Sequence, residues 1–294
     1  MPLAKKTIGL IGLGLMGSAL AYRLKQNGFS LLGYDIAPEQ AEGFRSLGFE
    51  TTASAREVIK ECGPIIFSVM TTTQVADTLR ASADDLRPEQ IIIDCSTGEP
   101  DDMATLGEWL SHKDVGYVDA TIAGNSDETR KGSVLTLVGG TKENVDTCDS
   151  IFRAISKKTV HLGPIGYGAR MKLVFNLVLG LHRAVLGEAL GFAEKLNIPP
   201  ETALEILKQG TTYSHVMDNK GEKMLTQDFT PQARLRQHHK DVRLMLELAA
   251  RYQAKVPFSR THEQLLAQLL EAGYGDLDNS AIVKAFERSP DEIL

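Results

Sequence analysis

Cysteine is scarce in this chain: Cys62, Cys95 and Cys148 are the only three in 294 residues. They lie far apart, are odd in number and include no C-x-x-C pair. That excludes a disulfide framework and a cysteine-built zinc site, and points to reduced thiols in a reducing compartment. No metal is expected. A basic excess is also lacking. Asp and Glu number 38 against 32 Lys and Arg, for a formal net charge of −6, whereas a nucleic-acid footprint normally needs a basic patch. No stretch beyond the N-terminal region reaches about 18 uninterrupted apolar residues, so no membrane span is expected. There is no internal repeat and no low-complexity segment.

One feature of the N-terminal region imitates an export signal. Lys5 and Lys6 precede the apolar run from Ile8 to Leu20, and Ala19-Leu20-Ala21 resembles a signal-peptidase site. Gly9, Gly12, Gly14 and Gly17 would make that run a poor apolar helix, and their spacing has a better use. The cytoplasm is therefore the expected location.

What is present is ordinary globular material, 43% hydrophobic and 24% charged. The length exceeds the usual single domain, so two are expected. The first half alternates short apolar runs with amphipathic stretches. Strands are expected at Thr7–Gly12, Ser30–Asp35, Pro64–Val69, Ile91–Cys95, Val115–Asp119 and Val134–Val138. Helices are expected at Leu15–Asn27, from Pro38, and at Gln74–Ala81, Asp102–His112 and Lys142–Ala154. Continuous apolar strands between amphipathic helices imply a parallel sheet covered on both faces. The breaker-rich segment Gly163-Pro164-Ile165-Gly166-Tyr167-Gly168 then ends this pattern. Beyond it the chain reads as helices alone: Ala169–Leu196, Pro200–Gln209, Pro231–Tyr252, Arg260–Ala272 and Ala281–Glu287. The expected domains are 1–163, α/β, and 164–294, all-α.

Gly12-Leu13-Gly14-Leu15-Met16-Gly17 is a G-x-G-x-x-G placed between a strand and a helix. Gly12 permits the tight turn, Gly14 lets the backbone approach a pyrophosphate, and Gly17 lets helix and strand pack closely. The anion then sits at a helix N-terminus, near Leu15 and Met16. Asp35 ends the second strand at the interval expected of the acid that binds a ribose 2′-hydroxyl. A carboxylate there repels a 2′-phosphate and no arginine follows at once, which favours NAD over NADP. The plainer reading is a packing turn followed by an N-capping aspartate.

Lys172, Asn176 and Arg183 interrupt the apolar stretch Met171–Leu196 and fall within a narrow stripe of one helix face. Burial of such a lysine lowers its pKa toward the range proton transfer needs. The alternative is a stripe facing solvent, with Lys172 only snorkelling.

These motifs together resemble the β-hydroxyacid dehydrogenase family, which includes 3-hydroxyisobutyrate dehydrogenase and relatives of 6-phosphogluconate dehydrogenase, and the similarity runs nearly end to end. The cofactor motif is Gly9 to Gly17. The substrate motif D-A-P-V-S-G-G is matched by Asp119-Ala120-Thr121-Ile122-Ala123-Gly124-Asn125, followed by Gly132-Ser133-Val134. The catalytic motif G-x-G-x-x-x-K-x-x-N-N is matched by Gly166 to Asn176, and a final Lys-Asp pair by Lys240-Asp241. The resemblance implies a Rossmann-type doubly wound domain followed by a helical substrate and oligomerisation domain. It implies nicotinamide near Met70, Thr71 and Thr97, and Lys172 as general acid/base at the carbinol oxygen. Asn176 would hold the substrate, N–H groups around Gly124 its carboxylate, and Lys240 would be a supporting charge at the substrate and cofactor. An ordinary exposed helix pair is the other reading of Lys240-Asp241.

The departures gather where the carboxylate should sit. Ala123 replaces serine, Asn125 replaces glycine, Thr121 replaces proline and Phe175 replaces the first asparagine. A different acidic head group, such as a sulfonate, is therefore expected, with Arg183 or the run Arg234, Arg236, His238 and His239 as candidates to recognise it. Arg234 and Arg236 read more simply as solvated helix-face charges. A homodimer or homotetramer is expected from the long apolar helices. The competing functions are an imine reductase-like enzyme, which commonly lacks the lysine, and a non-catalytic dehydrogenase-like interaction module.

Overall fold

The apolar runs of the first half become neighbouring strands of one sheet. The computed structural model describes residues 7–287; Lys5 and Lys6 of the export-like feature lie outside them. The chain forms two units, meeting after Lys172.

The first unit runs β1 (Ile8–Ile11), α1 (Leu15–Gln26), β2 (Leu31–Tyr34), α2 (Pro38–Ser46), β3 (Glu50–Thr51), α3 (Ala55–Glu61), β4 (Pro64–Phe67) and α4 (Thr72–Ala81). It continues with β5 (Ile91–Asp94), α5 (Pro100–Ser111), β6 (Gly116–Ala123), α6 (Ser126–Lys131), β7 (Leu135–Gly139), α7 (Lys142–Thr147), α8 (Asp149–Ile155) and β8 (Lys158–His161). The first turns of α9 (Tyr167–Lys195) complete it. The sheet order is β3-β2-β1-β4-β5-β6-β7-β8. Its pairs are parallel except β6 with β7, which is antiparallel. The sequence led us to expect parallel strands throughout; the connection 124–134 is too short for the crossover a parallel neighbour needs.

Alternate residues of each strand feed opposite layers of core. Ile8, Leu10, Ile66, Ile91 and Ile93 enter one cluster with Leu20 and Leu24 of α1. Ile11, Ile65, Phe67 and Ile92 enter the other with Leu106 of α5. Strands buried on both faces read as unbroken apolar runs, which is why they stood out in the sequence. The strand order reverses between β1 and β4. In such sheets the ligand crevice opens at the carboxyl ends beside that reversal.

The second unit contains the rest of α9, then α10 (Pro200–Gln209), α11 (His215–Thr226), α12 (Leu235–Arg251) and α13 (Pro257–Glu271), with 3-10 segments at Tyr274–Asp276 and Asn279–Phe286. Leu173, Leu186 and Leu190 of α9 pack with Leu204, Met217, Leu235, Val242, Met245, Leu266 and Ile282. Helix α12 starts at Leu235 and not at Pro231. The preceding segment is used otherwise: the Gln232 N–H donates to Asp278 at 2.8 Å, and Lys220 pairs with the same buried carboxylate at 2.8 Å. Among the described residues α9 is the one helix long and apolar enough to cross a membrane, although Lys172, Asn176 and Arg183 break its apolar run.

Candidate active site

The glycine loop lies at the reversal of the sheet. Gly12 has φ +95°, and a Cβ there would lie 2.3 Å from the Ser68 carbonyl oxygen, just beyond β4. A Cβ on Gly17 would lie 1.9 Å from the Gly12 carbonyl oxygen. Both glycines are therefore required by the chain's own packing. Gly14 differs: nothing lies within 4 Å of its would-be Cβ, and as N-cap of α1 it has φ −64° and offers no side-chain cap. The chain itself gives no reason for a glycine there. An open face at the start of a helix without a side-chain cap fits a dinucleotide pyrophosphate, which Gly14, Leu15, Met16 and Gly17 could hold.

Asp35 is tied to this loop. Its carboxylate accepts from Leu13 N at 2.6 Å and from Ala37 N at 2.9 Å. The N-cap of α2 is Ala37, without a side-chain cap bond, so Asp35 is not the capping aspartate of the plainer reading. Across the reversal, Ser96 joins the loops after β4 and β5: Val69 N donates to its Oγ at 3.1 Å. The N–H groups of Met70 and Thr71 both donate to Gln74 Oε1, and Thr71 caps α4. Thr97, the residue after Ser96, is half-buried.

The glycines of the catalytic motif make room for a carboxylate. Asp119, on β6, accepts from Gly166 N at 2.7 Å and Ala169 N at 2.8 Å, filling orphan donors at the start of α9. A Cβ on Gly168 would lie 2.6 Å from Asp119 Oδ2, and Gly166 has φ +91°. Burial raises the Asp119 pKa, opposed by these N–H donors. The clamp fixes the first turn of α9, and one turn further stands Lys172. Its side chain is buried, 7% exposed, and the ammonium donates to the Ile122 carbonyl at 2.6 Å. A snorkelling lysine is thereby ruled out.

Ile122 leads directly into Ala123-Gly124-Asn125. Ala123 is buried, Gly124 half-buried, and Asn125 is the N-cap of α6. Its Oδ1 accepts from Glu128 N at 2.9 Å, while its own N–H donates to Glu128 Oε2 at 2.9 Å. Helix α6 reaches back to the cradle through Thr129, whose hydroxyl donates to Met16 Sδ at 3.4 Å. The first unit thus joins the cradle, the substrate motif and Lys172. Neither Asp119's clamp nor Glu128 was singled out from the sequence, although Asn-x-x-Glu is a capping-box signature.

In the second unit Asn176, 6% exposed, donates to Asp241 Oδ2 at 2.9 Å, and Lys240 pairs with Asp241 Oδ1 at 3.0 Å. Arg183 is 3% exposed. Burial pushes its pKa down to about 10 against the pull of Asp278 and Asp241. His262 is pushed down to about 4 by burial and by the charges of Arg183 and His239. Arg234 and Arg236 are exposed and face Asp276, and His239 lies 2.9 Å from Glu263. The two arginines are the solvated helix-face charges their positions suggest, whereas the His239 and Glu263 side chains are partly buried. Among the described residues no three His, Cys, Asp or Glu side chains gather as metal ligands.

At the end of β5 lies Asp94, wholly buried, with Tyr117 Oη donating to it at 2.8 Å and Ser96 N at 2.9 Å. Burial raises its pKa from 3.8 to about 6 despite these donors. The folded state holds this proton more tightly than the unfolded state. Its contribution to stability is therefore complete below pH 4 and is lost as pH rises toward 6, by about 3 kcal/mol. Asp94→Asn removes that loss. The gap between its unfolding midpoint and that of the unaltered protein widens in the variant's favour from pH 4 to 6 and is flat above. A pH-independent gap would reject this assignment.

A glycine cradle at the sheet reversal, with an acid closing the next strand, defines a dinucleotide-binding protein. Two family profiles cover nearly all of it: "NAD binding domain of 6-phosphogluconate dehydrogenase" matches residues 7–163 and "NAD-binding of NADP-dependent 3-hydroxyisobutyrate dehydrogenase" matches 166–286. The chain belongs to the β-hydroxyacid dehydrogenase family of oxidoreductases. It is 26% identical over 285 residues to L-threonate dehydrogenase of Cupriavidus necator, covering 96% of each chain. It is also 26% identical over 283 residues to cytokine-like nuclear factor N-PAC of Drosophila melanogaster, covering 95% of this chain and 47% of that protein. The chain thus spans about half the length of the N-PAC relatives. The fold is that of 3-hydroxyisobutyrate dehydrogenase from Salmonella typhimurium, with a TM-score of 0.87, 23% identity and coverage of 95% of this chain and 99% of that one.

Proposed function

We propose that this chain moves a hydride between NAD(H) and a small 3-hydroxy acid or the corresponding semialdehyde, with Lys172 as general acid/base. The observation that carries the reading is the buried Lys172 ammonium on the Ile122 carbonyl, in the same unit as the glycine cradle. The dinucleotide supplies the redox chemistry when bound. Lys172 takes the hydroxyl proton in oxidation and returns it in reduction. Asp119 keeps that lysine in place through the first turn of α9, and the loop tied by Ser96 borders the reacting face. Within the second unit Asp241 orients Asn176, which the family resemblance makes a substrate-binding residue, and Lys240 pairs with the same carboxylate. The dinucleotide-binding domain ends at the connector beginning at Gly163.

The substrate is a small molecule, as the L-threonate dehydrogenase relative suggests by its name. Homo-oligomers are supported by exposed Val174, Val178, Val185 and Phe192, spaced along α9. A cytoplasmic setting is supported by three buried, unpaired cysteines. A second reading, a non-catalytic module, is favoured by the relatives named as nuclear factors and not as enzymes. Turnover of a panel of small hydroxy acids and semialdehydes, carboxylate and sulfonate, with NAD and NADP separates the two. Cofactor binding without turnover of any member would leave the module.

NAD is favoured over NADP because the Asp35 carboxylate, held at the end of β2, would face a 2′-phosphate and no arginine follows it immediately in the sequence. Asp35→Asn keeps an acceptor for Leu13 N and removes the charge. The NADPH-to-NADH ratio of dissociation constants is expected to fall about tenfold, or about 1.4 kcal/mol. Fluorescence titration with both cofactors checks it, and an unchanged ratio would refute the role of Asp35.

A further inference from the structure

We propose that the helical unit binds a small oxyanion on Arg183, at a site apart from Asn176. The preferred occupant carries a hydroxyl of its own, as hydrogen phosphate does. Of the described arginines only Arg183 is buried, 3% exposed. A guanidinium has five N–H donors, and among the described residues none accepts a hydrogen bond from this one. Asp278 and Asp241 attract its charge without pairing with it. Asp278 pairs with Lys220 at 2.8 Å and Asp241 with Lys240 at 3.0 Å. Burying a charged donor group that makes no hydrogen bond costs several kcal/mol. An acceptor from outside the chain removes that cost, and an oxyanion matches the guanidinium fork with two parallel bonds.

The surroundings of Arg183 select the occupant. Gly180, Gly187 and Gly191 share its face of α9, and what packs there uses their missing side chains. A Cβ on Gly187 would lie 3.1 Å from Val283 Cα, and one on Gly191 2.8 Å from the Phe286 carbonyl oxygen. The segment Asn279–Phe286 therefore runs along α9 in the same direction. One turn back from the contact of Gly187 with Val283, Ser280 comes level with Arg183. The Ser280 hydroxyl and Asn279 Oδ1 are both buried and make no hydrogen bond among the described residues. The hydroxyl can donate to an oxyanion, whereas the amide oxygen only accepts and needs an O–H on the ligand. A Cβ on Gly180 would lie 2.4 Å from His238 Nε2 and 2.7 Å from His262 Cε1. These two rings stand between Asn176 and Arg183 along the face and set the site apart. His262, pushed down to about 4, is neutral near pH 7.

Titration calorimetry with inorganic phosphate and with sulfate, on the full chain near pH 7, tests the site without requiring turnover. The unaltered protein is expected to bind one phosphate at least about tenfold more tightly than sulfate, which has no O–H for Asn279. Arg183→Met keeps much of the volume and removes the charge. It should weaken phosphate at least about tenfold. Two milder variants decide the matter even if Arg183→Met does not fold. Asn279→Ala should erase the preference for phosphate over sulfate, and Ser280→Ala should weaken both anions alike by about threefold or more. Asn176→Ala should leave phosphate within about twofold, as should saturating NADH, which would displace phosphate held at the glycine cradle. Absence of phosphate binding, displacement of phosphate by NADH, or an affinity unchanged by the changes at 183, 279 and 280 would overturn the proposal. So would an Asn176→Ala variant that loses phosphate as completely as Arg183→Met, because Arg183 would then belong to the substrate-binding residues.

Discussion

Lys172→Ala is expected to lower kcat by about 10²- to 10⁴-fold while leaving NADH affinity within about twofold, the range seen when a general acid/base is removed from an otherwise intact site. The separation arises from where the lysine stands. Its ammonium contacts the Ile122 carbonyl, near the end of β6, whereas the glycine cradle follows β1. Deleting it should remove proton transfer at the carbinol oxygen without disturbing Gly12, Gly14 or Gly17. Lys172→Arg is expected to fail almost as badly, because a guanidinium keeps the charge but does not release its proton near neutral pH. Partial restoration of Lys172→Ala by added methylamine, and no restoration of Lys172→Arg, would identify the lost function as proton handling. Stopped-flow or steady-state turnover with NADH, alongside fluorescence titration of the cofactor, provides both quantities. A Lys172→Ala enzyme retaining a third of its turnover would remove the mechanism proposed here.

The parts of the fold legible in the sequence were those in which one physical signal acted alone. Ile8–Ile11, Pro64–Phe67 and Ile91–Asp94 are buried on both faces and therefore read as apolar runs. The two edge-side strands did not. Glu50–Thr51 is only two residues long, and Lys158–His161 leaves Lys158 and His161 exposed, so neither shows a run or an alternation. Helix α11 escaped notice because His215–Thr226 carries charges and an internal glycine; Gly221 is there because a Cβ would strike Leu204. The expected helix Lys142–Ala154 is two helices with Cys148 between them.

In the candidate site, spacing identified residues but not their partners. The interval from Gly12 to Asp35 is a sequence property, whereas the bond from Leu13 N to Asp35 is a tertiary one. Likewise the G-x-G before Lys172 was visible, but its cause, the Asp119 carboxylate, lies 47 residues away from Gly166. Asn125 illustrates the opposite case. Its departure from the family pattern is plain in the sequence, while the capping box with Glu128, although it has a sequence signature, comes from the structure.

The glycine cradle gives the remaining large effect, because its three glycines are required for different reasons. A methyl on Gly17 would meet the Gly12 carbonyl and one on Gly12 the Ser68 carbonyl, in both cases rigid backbone that cannot yield. Gly17→Ala and Gly12→Ala are each expected to cost about 2 to 4 kcal/mol of stability, through overpacking and, at Gly12, a strained left-handed backbone. A methyl on Gly14 meets nothing within 4 Å, and its backbone conformation suits any residue. Gly14→Ala should therefore leave the unfolding midpoint within about 2 °C, or raise it slightly by restricting the unfolded chain. The same methyl would stand where a pyrophosphate approaches the helix start, so NADH affinity should fall at least about tenfold. Thermal unfolding without cofactor and NADH titration, run on all three variants, separate a packing glycine from a binding one. Unchanged NADH affinity in Gly14→Ala would mean that the open face at the start of α1 is not where the cofactor's phosphates lie.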